Sequence, residues 1–285
     1  MKNYLLLMTI VFSLISCAPQ QGIRNSADQA KAAHQKGKAA MERGDYKTAW
    51  NTLTRAAELK PDNSLYLNEA GIVALTLGYY DKAIEYFDKA LAIDFKTLGP
   101  EHSQVATYWN NLGNAWNFKG HYGKAIEYFE KSLTSNLKNF GTDHPKVATD
   151  WNNQGLAWLA KGSYDKSIEY FEKSLASNLK NFGSDHPSVA NNWNNLGGSW
   201  KTKGNYDKAI EYFKKSLTSN LKSFGPDHPK VARDWNNQGK AWQEKGETEK
   251  ARKNFNKALT VFQKAGLEHR VRVVEEHIRS LPPAQ

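Results

Sequence analysis

Val147–Leu175 reads VATDWNNQGLAWLAKGSYDKSIEYFEKSL, and nearly the same words begin again at Val105, Val189 and Val231. Successive copies are 42 residues apart, and each keeps two tryptophans and two adjacent asparagines. Aligning the glycine of every WNNxG run extends the series. Gly37, Gly71, Gly113, Gly155, Gly197 and Gly239 fall in register, with a first step of 34 residues and then four of 42. Self-similarity at a fixed period marks an array whose units cannot bury their apolar faces alone and so stack on their neighbours.

Within one copy the apolar positions have helical spacing. Trp109, Leu112 and Trp116 stand at i, i+3 and i+7, and Ala125, Phe129 and Leu133 at i, i+4 and i+8. The KGxYxK runs around Gly120, Gly162 and Gly204 read as tight turns between two such helices. Gly113 gives close approach between helices at a cost of about 1 kcal/mol in helix propensity. A fully buried indole hides about 150–250 Å², worth roughly 4–6 kcal/mol before entropy. The nine tryptophans are therefore expected to carry much of the core.

Trp109-x₂-Leu112-Gly113-x₂-Trp116 followed by Ala125-x₃-Phe129 resembles the tetratricopeptide repeat, whose period is the 34 residues of the first step. Gly37, Ala49, Ala56 and Pro61 match it in the first unit, and Gly71, Ala83, Phe87 and Ala90 in the second. The eight extra residues of the longer copies carry G-x-D-H-P-x-V-A, as in GTDHPKVA, which resembles the repeat of kinesin light chains over about residues 95–265. The resemblance implies an all-α, right-handed superhelical solenoid of about six helix hairpins. Their limits fall near 30–63, 64–105, 106–147, 148–189, 190–231 and 232–265, within an array over 28–266. Leu267, Val271, Val274, Ile278 and Leu281 then make an apolar stripe with a charged back, expected as a capping helix over 267–281 before a tail, 282–285.

The N-terminus reads differently. MKNYLLLMTIVFSLISC has a basic Lys2, an apolar run from Tyr4 to Ile15 and a terminal Leu14-Ile15-Ser16-Cys17, the features of an export signal. The last four residues resemble a bacterial lipobox, which implies cleavage after residue 16 and acylation of Cys17, the only cysteine in the chain. An ordinary secreted signal with a chance cysteine is the alternative. On the first reading residues 17–27 are the lipidated cysteine and a short tether, and several acyl chains make a stable anchor. Ala18 is not the aspartate that retains such proteins in the inner membrane. The expected place is thus the bacterial cell envelope, on the outer membrane facing the periplasm if the cell is Gram-negative. Loss of residues 1–16 takes the formal net charge from +10 to +9. Lysine is interleaved with Glu and Asp throughout, and export argues against nucleic acid as a partner.

The recurring Asp-His-Pro (143–145, 185–187, 227–229) could suggest metal or acid–base chemistry. One histidine per unit sits too far from the next for a shared ion, whose ligands lie about 2 Å away, whereas aspartate caps helices and proline opens them. No phosphate-binding glycine loop, nucleophile elbow or HExxH run is present. No catalytic residue, metal site or cofactor is expected, and the chain reads as a non-enzyme.

The asparagine pairs are unusual for helix interiors. By the family pattern the second of each pair bonds between helices. The first, Asn110, Asn152, Asn194 and Asn236, faces a concave groove, where an amide can both donate to and accept from a peptide backbone. Simple solvated polarity is the other reading. Asn114, Arg233 and Lys240 occupy further groove positions, so an amide-lined groove with basic ends suits an extended, partly acidic segment. The expected function is a membrane-anchored scaffold that binds a protein or peptide partner, with a role in envelope assembly. An adaptor for a cell-wall enzyme and a glycan-binding envelope protein are the alternatives, and no groove position carries the aromatic ring that a glycan would favour.

Overall fold

The computed structural model describes residues 26–283; the stretch expected to be an export signal, Cys17 and most of the expected tether lie outside the described residues. Among the described residues there are thirteen helices and no strand. They are α1 (residues 26–42), α2 (Tyr46–Leu59), α3 (Ser64–Thr76), α4 (Tyr80–Leu98), α5 (Ser103–Phe118), α6 (Tyr122–Phe140), α7 (Pro145–Ala160), α8 (Tyr164–Phe182), α9 (Pro187–Thr202), α10 (Tyr206–Phe224), α11 (Pro229–Glu244), α12 (Thr248–Lys264) and α13 (Glu268–Arg279). Consecutive helices pair as hairpins, and α13 stands alone at the end. The described residues form two compact units, which divide within α6 between Tyr128 and Phe129.

The hairpin turns follow from glycine. Gly162, at φ +85°, ends α7 in the left-handed region. Its N–H bonds to Leu159 O, and Ser163 N–H to Trp158 O, the double bond of a Schellman cap. The other end of each long hairpin is closed by histidine. His144, His186 and His228 are the N-caps of α7, α9 and α11, each accepting through Nδ1 the N–H two residues on, with proline at the first helical position. Each ring also stacks on the last phenylalanine of the preceding helix, Phe140, Phe182 or Phe224, at 4.3–4.4 Å. The expected aspartate cap is thus corrected to histidine. The freed aspartates instead reach the next hairpin, where Asp143, Asp185 and Asp227 pair with Lys180, Lys222 and Lys264.

The core also departs from expectation. No tryptophan is fully buried among the described residues. The largest buried side chains are Tyr108 and the phenylalanines Phe87, Phe129, Phe171, Phe213 and Phe255. Each of four phenylalanines lies flat against the repeat glycine of its own hairpin. A Cβ added to Gly71, Gly155, Gly197 or Gly239 would stand 2.5–2.7 Å from the ring of Phe87, Phe171, Phe213 or Phe255. Phe171 also packs on Leu196 of the next hairpin, with Trp200 partly covering them, which is how stacking buries each hairpin's apolar face. The second tryptophan of each copy is half-buried, with a lysine over one face: Lys124, Lys166, Lys208 and Lys250 lie 4.0–4.6 Å from the rings of Trp116, Trp158, Trp200 and Trp242.

At the far end, Val274 and Leu281 are buried and Val271 and Ile278 partly buried against Phe255, Phe262 and Trp242. The apolar stripe of α13 therefore caps the second unit. Leu267, placed on that stripe by its spacing, is 37% exposed.

Candidate functional site on the inner helices

The odd-numbered helices of each unit lie side by side, joined by amides. In the first unit Asn111 Nδ2 donates to Asn68 Oδ1 at 2.9 Å. In the second, Asn195 Nδ2 donates to Asn152 Oδ1 at 2.9 Å and Asn237 Nδ2 to Asn194 Oδ1 at 2.7 Å. The second asparagine of one pair thus bonds to the first asparagine of the pair before it. The arrangement refines the expected chemistry. The carbonyls of Asn152 and Asn194 each already accept one bond, and Asn152 Nδ2 also lies 3.4 Å from Asn153 Oδ1. Asn236, at the end of the series, is 9% exposed and its Oδ1 has no hydrogen-bond partner. Asn110 and Asn114 are half-buried on α5 in the first unit.

A recess of about 410 Å³ opens on this face of the second unit. Thr149, Asn152, Asn191, Asn195 and Phe182 line it, and Arg233 stands at its edge, with Nη2 donating to Asn191 Oδ1 at 3.3 Å. In the first unit a smaller recess of about 180 Å³ lies among Lys38, Met41, Leu53, Glu69 and Ile72. There His34 Nε2 is 2.6 Å from Glu69 Oε2, and the imidazole packs 4.6 Å from the ring of Tyr66.

Beyond the recess of the second unit the charge is positive. Lys240 on α11 is half-buried, and burial, then Lys201 and Arg270, hold its pKa below the usual lysine range. His277 on α13 is lowered by burial and then by Lys240, against a smaller opposite effect of Glu276. Gln243 Nε2 donates to Ser280 Oγ at 3.1 Å and ties α11 to the cap. Sequence reasoning placed Arg233 and Lys240 here but missed Arg270 and His277. They belong to a helix read only for its apolar stripe.

Behind the inner face, four of the interfaces between hairpins bury a polar pair at one recurring position. Asn136 and Ser132 donate to Asp150 at 2.7 and 2.8 Å, and Asn220 and Ser216 to Asp234 at 2.6 and 3.0 Å. The copy between them carries Asn192, which accepts from Asn178 at 2.7 Å and donates to Ser174 at 2.9 Å. In the first unit the pair is Tyr108 donating to Asp94 at 2.7 Å, with burial foremost in pushing the Tyr108 hydroxyl up to about 12. Burial raises Asp150 and Asp234 to about 6, against the opposing effect of their hydrogen bonds. Such shifts can mark acid–base sites, but these carboxyls face packed helices, and their roles are explained by the joints they make. Among the described residues no group of three or more His, Cys, Asp or Glu is placed to hold a metal ion.

Comparison with known proteins agrees with the helix hairpins. Models of the tetratricopeptide repeat match residues 30–63, 61–136, 117–176 and 200–264. No curated protein matches the chain significantly. Among solved structures, a Podosopora anserina chain of nearly identical TPR-like repeats, described as of kinesin-light-chain type, superposes with a TM-score of 0.63 at 21% identity, over 72% of this chain and 97% of its own. PilW, described as a widely conserved type IV pilus biogenesis factor, gives 0.63 at 19% identity, over 86% and 97%. The apo form of RapI gives 0.67 at 18% identity, over 88% and 95%. At these identities the likeness is one of fold. The family models, however, span most of the array and fall on the hairpins whose glycine–phenylalanine contacts and inner amides are described above, so the chain belongs to the tetratricopeptide-repeat family.

Proposed function

We propose that the protein is a non-enzymatic scaffold, held at the bacterial envelope by acylated Cys17, that binds an extended segment of a partner protein along its inner helices. The observation that carries the binding reading is the amide series. Its members Asn152 and Asn195 line the open recess of about 410 Å³, and an amide whose carbonyl has accepted one bond still offers a second lone pair and an N–H to a guest. An extended peptide has a carbonyl at every residue and matches such donors. The anchor rests on the sequence Leu14-Ile15-Ser16-Cys17 and the short polar tether after it. A part in envelope complex assembly agrees with the shared fold of the pilus biogenesis factor PilW.

The test is capture from envelope extract by residues 18–285, against a variant with Asn110, Asn152, Asn194 and Asn236 changed to alanine. Circular dichroism would establish that the variant is folded. A partner held by the parent and lost by the folded variant is expected. Equal capture by both would move binding to the outer helices or loops and overturn the site assignment.

A further inference from the structure

We propose that the edge of the first unit at which α1 and α3 begin and α4 ends lies against the phospholipid bilayer that carries the anchor. Phe95 and Leu98 enter its headgroup region, with Leu65 beside them. The inference rests on acylation of Cys17, as read above, and adds which edge of the first unit is turned to the lipid.

Consecutive helices run antiparallel, so one edge of the unit gathers the starts of α1, α3 and α5 and the ends of α2 and α4. α4 has 19 residues, against 13 in α3 and 14 in α2. From the turn it shares with α3 it therefore projects about 9 Å beyond the first residue of α3. The projecting end carries Phe95 and Leu98, at i and i+3 on one side of the helix, each 47% exposed. Leu65, in the first turn of α3, is equally exposed. The sequence itself changes here. Later copies place leucine at the position of Phe95 (Leu137, Leu179, Leu221) and, at that of Leu98, a phenylalanine that stacks on the histidine cap. In this copy the two types are exchanged, and His102 has no ring at the last helical position to stack on.

Scattered apolar side chains on a surface are ordinary. What singles out these three is that the N-terminal tether joins the fold at their edge. Residues 18–25 separate Cys17 from Ser26, so an acylated sulfur lies within about 30 Å of the start of α1. The opposite, turn edge also exposes rings, those of Tyr79 and Phe118. It lies a helix further away, since α1 is about 25 Å long, and docking there would hold the tether nearly straight. Tethering raises the effective concentration of lipid at the near edge, so a weak apolar contact suffices there. The contact is a surface one: among the described residues no helix is long and apolar enough to cross a membrane. Charge on this edge is balanced, Lys60 and Lys96 against Asp62 and Glu101, so apolar burial rather than attraction to anionic headgroups drives it.

The test uses the acylated full chain, purified from membranes and reconstituted into vesicles of phosphatidylethanolamine and phosphatidylglycerol, with the state of Cys17 read by mass spectrometry. An environment-sensitive fluorophore is attached through Thr97→Cys, between Phe95 and Leu98, or through Thr76→Cys at the turn edge; both positions are exposed. Cys17, the only native cysteine, is blocked by its own lipid. Lipid carrying a doxyl quencher is expected to dim the label at 97 by at least about twofold and to leave the label at 76 bright. Phe95→Gln with Leu98→Gln should abolish that quenching while flotation with vesicles and the thermal melt stay unchanged. Quenching that survives this pair of substitutions would overturn the role of the two side chains. The effect should persist in about 500 mM salt, and its loss there would assign the contact to charge and overturn the proposal. Flotation with neither label quenched, or with the label at 76 quenched as strongly as that at 97, would overturn the docked edge and leave the anchor standing. Unmodified Cys17 and no flotation would overturn both.

Discussion

Replacing Asp150 and Asp234 together by asparagine is expected to stabilise the fold at pH 7 by about 2–4 kcal/mol, with the gain disappearing as the pH falls. Both carboxyls are buried, and both have a folded pKa of about 6 against an ordinary value of 3.8. Between those values the folded state holds more protons than the unfolded one. The stability that a raised carboxyl contributes is therefore complete below about 4 and is lost as the pH rises through about 6. A tenfold difference in proton affinity between the folded and unfolded states corresponds to about 1.4 kcal/mol, which bounds the cost of the two charges at neutral pH. The chain contains its own control. Asn192 occupies the same place in the intervening copy and satisfies both its amide atoms, while Ser174 turns its hydroxyl to the Ala148 carbonyl at 2.7 Å. Ser216 is expected to make the same turn towards Ala190 in the Asp234→Asn variant. Urea unfolding of parent and double variant at pH 7 and about 4.5 reads the effect. An unchanged or larger gap at the lower pH would contradict the assignment.

The second large effect lies in the glycine–phenylalanine contact. Phe213→Ala empties a fully buried ring site between hairpins and should cost about 3–5 kcal/mol. Gly197→Ala alone should also destabilise, by about 1–3 kcal/mol, because the new methyl would lie 2.6 Å from the Phe213 ring. Combined, the two should be less harmful than their sum. The methyl then enters space the ring has left, and alanine favours the helix over glycine by about 1 kcal/mol. A double-mutant cycle by denaturant unfolding should show coupling of at least about 1 kcal/mol. Simple additivity would mean that the ring is not what requires glycine there.

The repeat architecture was legible because its determinants recur at one period. The aligned glycines, the helix-spaced apolar positions and the KG turns each translate directly into local geometry. Less visible was which ring goes deepest. Trp151 and Phe171 both sit on apolar faces, but it is Phe171 that meets a glycine, Gly155, across the hairpin, and that depends on helix crossing. Lysines three and eight residues beyond Trp116 and Trp158 gave no sign in advance that they would cover the indoles. Histidine as N-cap was hidden by the adjacent aspartate, the stronger capper by intrinsic preference. The contest is decided by the phenylalanine four residues upstream, which stacks on the imidazole and leaves the carboxylate to the neighbouring hairpin's lysine.

Of the candidate site, the groove asparagines were readable as residues but not as a bonded series. A hydrogen bond between residues 43 positions apart appears only when two hairpins are stacked. The buried aspartates were missed for a related reason. Asp150 and Asp234 follow a hydrophobic Val-Ala and precede a tryptophan, and nothing local separates an inward carboxylate from an outward one. The variation of that position through Tyr108, Asp150, Asn192 and Asp234 was the available clue. All four can make a buried hydrogen bond, and only two of them carry charge.

The most direct test of the central claim is site-specific photocross-linking in the envelope of living cells. A photoreactive residue at Thr149, exposed beside the inner amides, would be compared with one at Glu211, exposed on α10. The account predicts a discrete partner adduct from position 149 and none from position 211. An adduct from 211 with none from 149 would show that the partner is held by the outer helices, and the inner amide series would then serve only to join the hairpins.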